Sequence, residues 1–303
     1  MSLDGVRVLD LSRLLPGGYC TQLLQAQGAT VIKIEARSGD PIRSLHGGEA
    51  YFGALHQGKE LLTLDLRSTS GREAFLGRVL DADVLVEGFR PGRMERMDLG
   101  YADLAAINPA LVYCAITGYG SSGELARRAG HDLNYLARSG ALSLMPLRDG
   151  VPAIPGLLVA DLAGGLHAAF LIAAALASRT MTGRGQRVEV SMADLMRSWT
   201  AMPRAVLRAG VAGLSLTGEL PCYHVYAVAD GFVTVAALES AFWAEFCHAI
   251  DREDLKARQF DPVAVDAVQA VLGKATRAEW AARFADRDVC VEPVLGLEET
   301  EID

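Results

Sequence analysis

Residues 127–140, RRAGHDLNYLARSG, set a histidine beside an aspartate, between a glycine and an apolar helical stripe. His131 reads in two ways there. It either precedes a helix and merely packs, or it is an imidazole at a helix N-terminus, where the dipole favours the neutral form and hence a working base. Asp132 suits the N-cap of that helix in both cases, because a carboxylate there accepts a first-turn N–H. Farther on, Asp161 falls in LLVADLAGG among Leu, Val, Ala and Gly. On a helical reading its carboxylate is surrounded by apolar groups, and desolvation would raise its pKa and equip it as base, acid or nucleophile. The competing reading makes Asp161 an N-cap, with the helix starting at Leu162 and Gly164-Gly165 forming a turn.

A second set of candidates is cationic. Lys33, Arg37, Lys59, Arg90 and Arg93 all fall at or near the ends of β-rich runs. Gathered at one sheet edge they would hold phosphates; separately they are solvated loop charges. No G-x-G-x-x-G follows the first run, so the dinucleotide fingerprint is absent. Gly17-Gly18 is equally a helix-entry turn and a weak anion-binding hint.

These residues need a scaffold, and the hydrophobic pattern predicts one. Strands are expected at 6–12, 29–35, 60–68, 83–89 and 110–120, with helices at 16–28 and 71–80 and another near Met94. Strands separated by helical crossovers make an α/β domain with a Rossmann-like parallel sheet, whose ligands bind beyond the carboxyl ends of the strands. Residues 157–178 read as a long apolar helix, and 183–199 as a turn, a strand and a helix. Beyond them, 223–238 reads as a hairpin turning at Asp230-Gly231 and 239–250 as a helix, the pattern of a smaller α+β domain. The expected division is 1–199, 200–290 and a return linker over 291–303.

Composition narrows the class. The chain has 303 residues, half of them hydrophobic and 22% charged, which suits a globular protein with a substantial core. A net charge of −8 and a pI near 5.3 oppose general nucleic-acid binding, which needs a basic face. The start is interrupted by Asp4, Arg7, Asp10 and Arg13, unlike a signal peptide, so a cytoplasmic location is expected. The most apolar run, 166–177, is shorter than the roughly 20 residues a bilayer requires, so no membrane segment is expected. Five scattered cysteines show no metal-type spacing and suggest reduced thiols.

The segments LDGVRVLDLSRLLPGGYCTQLLQAQGATVIKIEARSGDP, LLTLDLRSTSGREAF, DVLVEGFRPGRMERMDLGY and LVYCAITGYGSSG together resemble the class III CoA-transferase superfamily. AGHDLNYLARSGAL and PCYHVYAVADGFVTVAALESAFW are similar to its α-methylacyl-CoA racemase branch. The resemblance implies His131 and Asp161 as the two acid/base groups, Glu239 assisting the histidine, and Asp132 orienting its neighbours. It implies CoA-phosphate contacts from Lys33 or Arg37, Lys59 and Arg90. The implied reaction inverts the α-carbon of a 2-methyl-branched acyl-CoA, in fatty acid metabolism. No metal or redox cofactor is implied, CoA being part of the substrate. Backbone N–H groups at the helix after Asp132 would hold the enolate oxygen.

Two alternatives accompany this reading: a CoA-transferase in which Asp161 attacks the thioester, and a CoA-binding protein without activity. The resemblance further implies an interlocked homodimer, with the active site between the large domain of one subunit and the small domain of the other. Members of that branch typically continue for several dozen residues past the position of Asp303, so the chain is either naturally short or lacks its end.

Overall fold

The computed structural model describes residues 1–210 and 216–300. Contacts divide the chain into two units, Met1–Met202 and Pro203–Asp303. Through the sheet-building half of the first unit the order is β1 (Arg7–Asp10), α1 (Leu14–Ala26), β2 (Thr30–Glu35), α2 (Gly48–His56), β3 (Glu60–Thr63), α3 (Thr69–Val79), β4 (Val84–Glu87), α4 (Tyr101–Ile107) and β5 (Val112–Thr117). Next come α5 (Asp132–Ser139), a small hairpin of β6 (Leu147–Arg148) and β7 (Val151–Pro152), α6 (Val159–Thr182), β8 (Arg187–Ser191) and α7 (Met192–Trp199), and the boundary between the units falls within α8 (Ala201–Arg208).

Six parallel strands form the sheet in the order β3-β2-β1-β4-β5-β8. Alternate side chains of each strand enter different cores, as the pleat requires. Val8, Val84, Val86, Val112, Cys114 and Ile116 face one layer, with residues of α1, α5, α6 and α7. Leu9, Leu85, Tyr113 and Ala115 face the other, with Phe75 and Val79 of α3 and Leu104 of α4. Because β1 lies between β2 and β4, the chain leaves it in opposite directions across the sheet. A crevice opens there, beyond the carboxyl ends of β1 and β4.

Glycine decides how the first and sixth helices meet. A Cβ on Gly165 would lie 2.5 Å from the Pro16 carbonyl oxygen and 3.1 Å from the Tyr19 ring, so only glycine lets α6 cross the first turns of α1 so closely. Asp161 stands one turn before Gly165 on the same face of α6 and is thereby carried to the N-terminal end of α1. Gly164 and Gly165, one candidate for a turn, thus lie inside the helix.

By length and composition the 24-residue α6 suffices to cross a membrane, contrary to the expectation from its most apolar stretch. Its Ala160, Ala163, Gly164, Ala168, Ile172 and Ala175 are buried against the sheet and neighbouring helices, the burial pattern of a core helix.

The second unit has its own core. Strands β9 (Tyr223–Val228), β10 (Gly231–Ala236) and β11 (Val291–Pro293) form an antiparallel sheet in the order β11-β10-β9. Helices α9 (Ser240–Ala249), α10 (Val265–Leu272) and α11 (Arg277–Phe284) add Trp243, Phe246, Leu272 and Trp280 to it. The hairpin turns through Ala229-Asp230, with Gly231 already the first residue of the return strand. Residues 291–293, expected in a linker, pair with β10 and complete the sheet. Residues 211–215 and 301–303, parts of the expected small domain and linker, lie outside the described residues.

Candidate active site

A cleft of about 270 Å³ occupies the crevice, and its walls include Arg13, Gly17, Arg90, Arg128, His131 and Asp161. The two expected acid/base groups therefore share one cavity. His131 holds the N-cap of α5 in an extended conformation. Its N–H donates to Asn134 Oδ1 (3.0 Å), and its carbonyl accepts from the N–H groups of Asn134 (2.8 Å) and Tyr135 (3.3 Å). The backbone is thus tied to α5 while the side chain stays exposed.

Asp132 was expected to cap its own helix. Instead it is the first helical residue of α5 and caps another helix, its Oδ1 accepting the N–H groups of Ala160 (2.6 Å) and Asp161 (3.2 Å) at the start of α6. One buried carboxylate joins the backbone next to His131 to the backbone of Asp161. The N-cap reading of Asp161 fails accordingly, since α6 begins at Val159.

Asp161 is 8% exposed. Burial, reinforced by the negative charge of Asp132, pushes its pKa up to about 7. At neutral pH the carboxyl group is therefore poised between acid and base. Tyr135 packs nearby: its hydroxyl donates to the Gly130 carbonyl (2.6 Å) and its ring meets Tyr119 edge-on at 5.2 Å. Burial, then the charge of Asp161, pushes the phenol up to about 12. A Cβ on Gly118 or Gly130 would strike the Tyr135 ring at 2.6 or 2.8 Å, which explains the glycine before His131. Tyr135 was legible only as part of an apolar helix face.

The first-turn N–H groups of α5, expected to receive the enolate oxygen, are in part committed. Those of Asn134 and Tyr135 already donate to His131.

The cations sort by burial. Lys33 and Lys59, expected to contact phosphate, reach the sheet edge with their ammonium groups bonded inside the protein. Lys33 Nζ, in a residue 1% exposed, donates to the Ser12 carbonyl (2.5 Å) and lies 3.2 Å from Asp40 and 3.8 Å from Asp10. Lys59 Nζ donates to the Gly18 carbonyl (2.9 Å) and Thr21 Oγ1 (2.8 Å) and lies 3.7 Å from Asp10. Burial outweighs that carboxylate and lowers the Lys59 pKa to about 8. Arg37 and Arg90 are exposed, and Arg90 shares the cleft of His131 and Asp161.

Sequence reasoning missed Arg13, whose guanidinium stacks on Phe89 at 4.7 Å; Arg93 approaches the same ring at 5.5 Å. Burial, then the positive charge of Arg93, lowers the pKa of Arg13 against the opposing charge of Asp40. The available signal was position, because Arg13 directly follows the first strand and Phe89 follows β4. Glu239 belongs to the second unit, where it is exposed and its carbonyl accepts the Trp243 N–H (3.0 Å) ahead of α9.

A family model described as CoA-transferase family III matches residues 3–303. Alpha-methylacyl-CoA racemase of Mus musculus is 37% identical over 311 aligned residues, covering 99% of this chain and 79% of its own. Succinyl-CoA:mesaconate CoA-transferase of Haloarcula hispanica is 38% identical over 84% of this chain and 69% of its own. The crystal structure of a CAIB/BAIF family protein from Brucella suis superposes with a TM-score of 0.86 at 30% identity, covering 98% of this chain and 85% of that one.

Proposed function

This chain belongs to CoA-transferase family III, and we propose that within it the protein is a racemase inverting the α-carbon of 2-methyl-branched acyl-CoA thioesters. The observation that carries the reading is the pairing of His131 with Asp161 in one cleft, the carboxyl group being held near a pKa of 7. Inversion needs a proton removed from one face of the α-carbon and another delivered to the opposite face. A pair holding a single proton between them meets that need in both directions. With the proton on Asp161, neutral His131 is the base; with it on His131, the Asp161 carboxylate is. The enolate between them carries its charge on the thioester oxygen, which hydrogen-bond donors aimed at that oxygen would stabilise.

Arg90, Arg13 and Arg93 lie where the CoA phosphates would enter, at the carboxyl ends of β1 and β4. Arg37, exposed just beyond β2, remains a further candidate, and Glu239 is kept as the group proposed to assist the histidine. The same reading takes CoA as part of the substrate with no other cofactor, and places the enzyme in fatty acid metabolism, in the cytoplasm and as a homodimer.

A second reading has specific support: the racemase and the transferase relatives match at 37% and 38% identity. In CoA transfer, Asp161 would attack the thioester carbonyl to form a mixed anhydride and release CoA as its thiolate. That role needs the ionised carboxylate, which burial disfavours, and leaves His131 without a task.

The test is incubation in deuterated water with one epimer of a 2-methylacyl-CoA, following α-deuterium by NMR and configuration by chiral analysis. Exchange with inversion is expected, reduced about 100-fold or more in His131→Ala and in Asp161→Ala. CoA transfer to a free acid without α-exchange would sink the racemase reading in favour of the transferase.

A further inference from the structure

Beneath the cleft lies a group of buried charges that proton transfer does not use. Asp10, Lys33, Asp40 and Lys59 are each under 9% exposed, and three of them grip a single turn, Ser12–Leu14. Asp10 Oδ1 accepts both the N–H (2.9 Å) and the hydroxyl (2.5 Å) of Ser12. Lys33 Nζ donates to the Ser12 carbonyl (2.5 Å). Asp40 Oδ1 accepts the N–H groups of Leu14 (3.1 Å) and Ile42 (3.0 Å), while its Oδ2 lies 3.2 Å from Lys33. Backbone groups on both sides of Arg13 therefore end on a buried charge.

The turn needs holding. Leu14 has a φ of +60°, a left-handed conformation that costs a side-chain-bearing residue roughly 1 kcal/mol or more. From it the chain enters α1, whose Pro16 and Gly17 form the cleft wall, and Arg13 is directed over Phe89. A buried ion network is weak evidence for stability in itself, because desolvation offsets much of its attraction. Its geometry here is that of a clamp on one functional turn.

We propose that Asp40 and Lys33 are positioning residues, which preset the Ser12–Leu14 turn so that Arg13 and the first turn of α1 meet an arriving acyl-CoA without rearrangement. This rests on the acyl-CoA part of the functional reading and is indifferent to whether racemisation or CoA transfer follows.

The test measures binding of CoA and of a 2-methylacyl-CoA by calorimetry in the whole protein. Asp40→Ala is expected to weaken binding about tenfold, the scale of one lost charge-assisted hydrogen bond. Asp40→Asn, which keeps an oxygen for the Leu14 N–H, is expected to restore most of the affinity. In an Arg13→Ala background, Asp40→Ala should cost clearly less than it does alone, since part of its effect passes through Arg13. Fully additive losses, or unchanged affinity with only a lower melting temperature, would overturn the proposal by reducing Asp40 to a fold-stabilising residue.

Hydrogen exchange in the unaltered protein gives a readout that does not depend on variant folding. The Leu14 amide should be protected before any ligand is added. Protection that arises only with acyl-CoA would mean an induced turn and defeat the idea. If neither CoA nor the thioester binds the unaltered protein while that amide is protected, the functional reading fails and the preset turn stands.

Discussion

Asp161 owes its acid–base character to where the chain hides it, and hiding a carboxyl group has a thermodynamic sign. Its pKa is raised from 3.8 to about 7. Below the lower value both folded and unfolded chains carry the proton; between the two, the unfolded chain ionises and the folded one resists. Stability is therefore lost as pH rises toward 7 and reaches its plateau above it. Asp161→Asn removes the ionisable group, so at pH 8 it is expected to stabilise the fold by on the order of 2–4 kcal/mol while abolishing α-exchange. Denaturant melts at pH 4 and pH 8 check it: a variant no more stable than the parent at pH 8 would contradict the buried carboxyl. This behaviour was legible in LLVADLAGG, because helical periodicity surrounds the carboxylate with apolar side chains. The bridge from Asp132 to α6 was not, since sequence spacing says nothing about which helix N-terminus a carboxylate faces. The fate of Lys33 was legible and overlooked. In TVIKIE it alternates in phase with Val31, whose side of the strand is buried, whereas sheet-edge reasoning treated it as a free cation.

At the scale of elements, the placement of the proposed acid–base group Asp161 depends on how closely α6 crosses α1. The two adjacent glycines of α6 meet different obstacles. A Cβ on Gly165 would press on backbone, the Pro16 carbonyl at 2.5 Å; on Gly164 it would meet the Met192 side chain at 2.7 Å. A methionine shifts readily, and a carbonyl in the first turn of a helix does not. Gly165→Ala is therefore expected to cost about 1–3 kcal/mol and to reduce α-exchange by displacing Asp161. Gly164→Ala should cost clearly less and leave exchange near its parent value. Equal effects in melting and exchange assays would show that the crossing is looser than drawn. The strands of the parallel sheet were readable because they are continuous apolar runs, and their ends were overextended at 60–68, where Ser68 already caps α3 by accepting the Gly71 N–H. Short helices were harder: α2 and α4 span nine and seven residues, too few turns for a clear period. The start of α11 had a signature that went unread, a capping box in which Thr276 Oγ1 accepts the Glu279 N–H and the Glu279 carboxylate accepts the Thr276 N–H.

At the scale of the whole molecule, an apolar stripe on α6 bears on association. The outer face of α6 presents Leu166, Phe170 and Met181 at 53%, 64% and 90% exposure. The first two are one turn apart on one stripe, and a contiguous apolar face on a globular protein commonly marks an interface. The proposed homodimer is expected to bury that stripe and to give a mass of twice the 32.3 kDa chain in light scattering. Phe170→Glu discriminates because of where the side chain stands. In a free monomer an exposed position tolerates such a change within about 0.5 kcal/mol. Across an interface it would bury an unpaired carboxylate, whose desolvation cost is several kcal/mol. The expected result is a monomer of unchanged helicity by circular dichroism. A parent protein that is already monomeric at micromolar concentration, or a Phe170→Glu variant that keeps the doubled mass, would detach the α6 stripe from assembly.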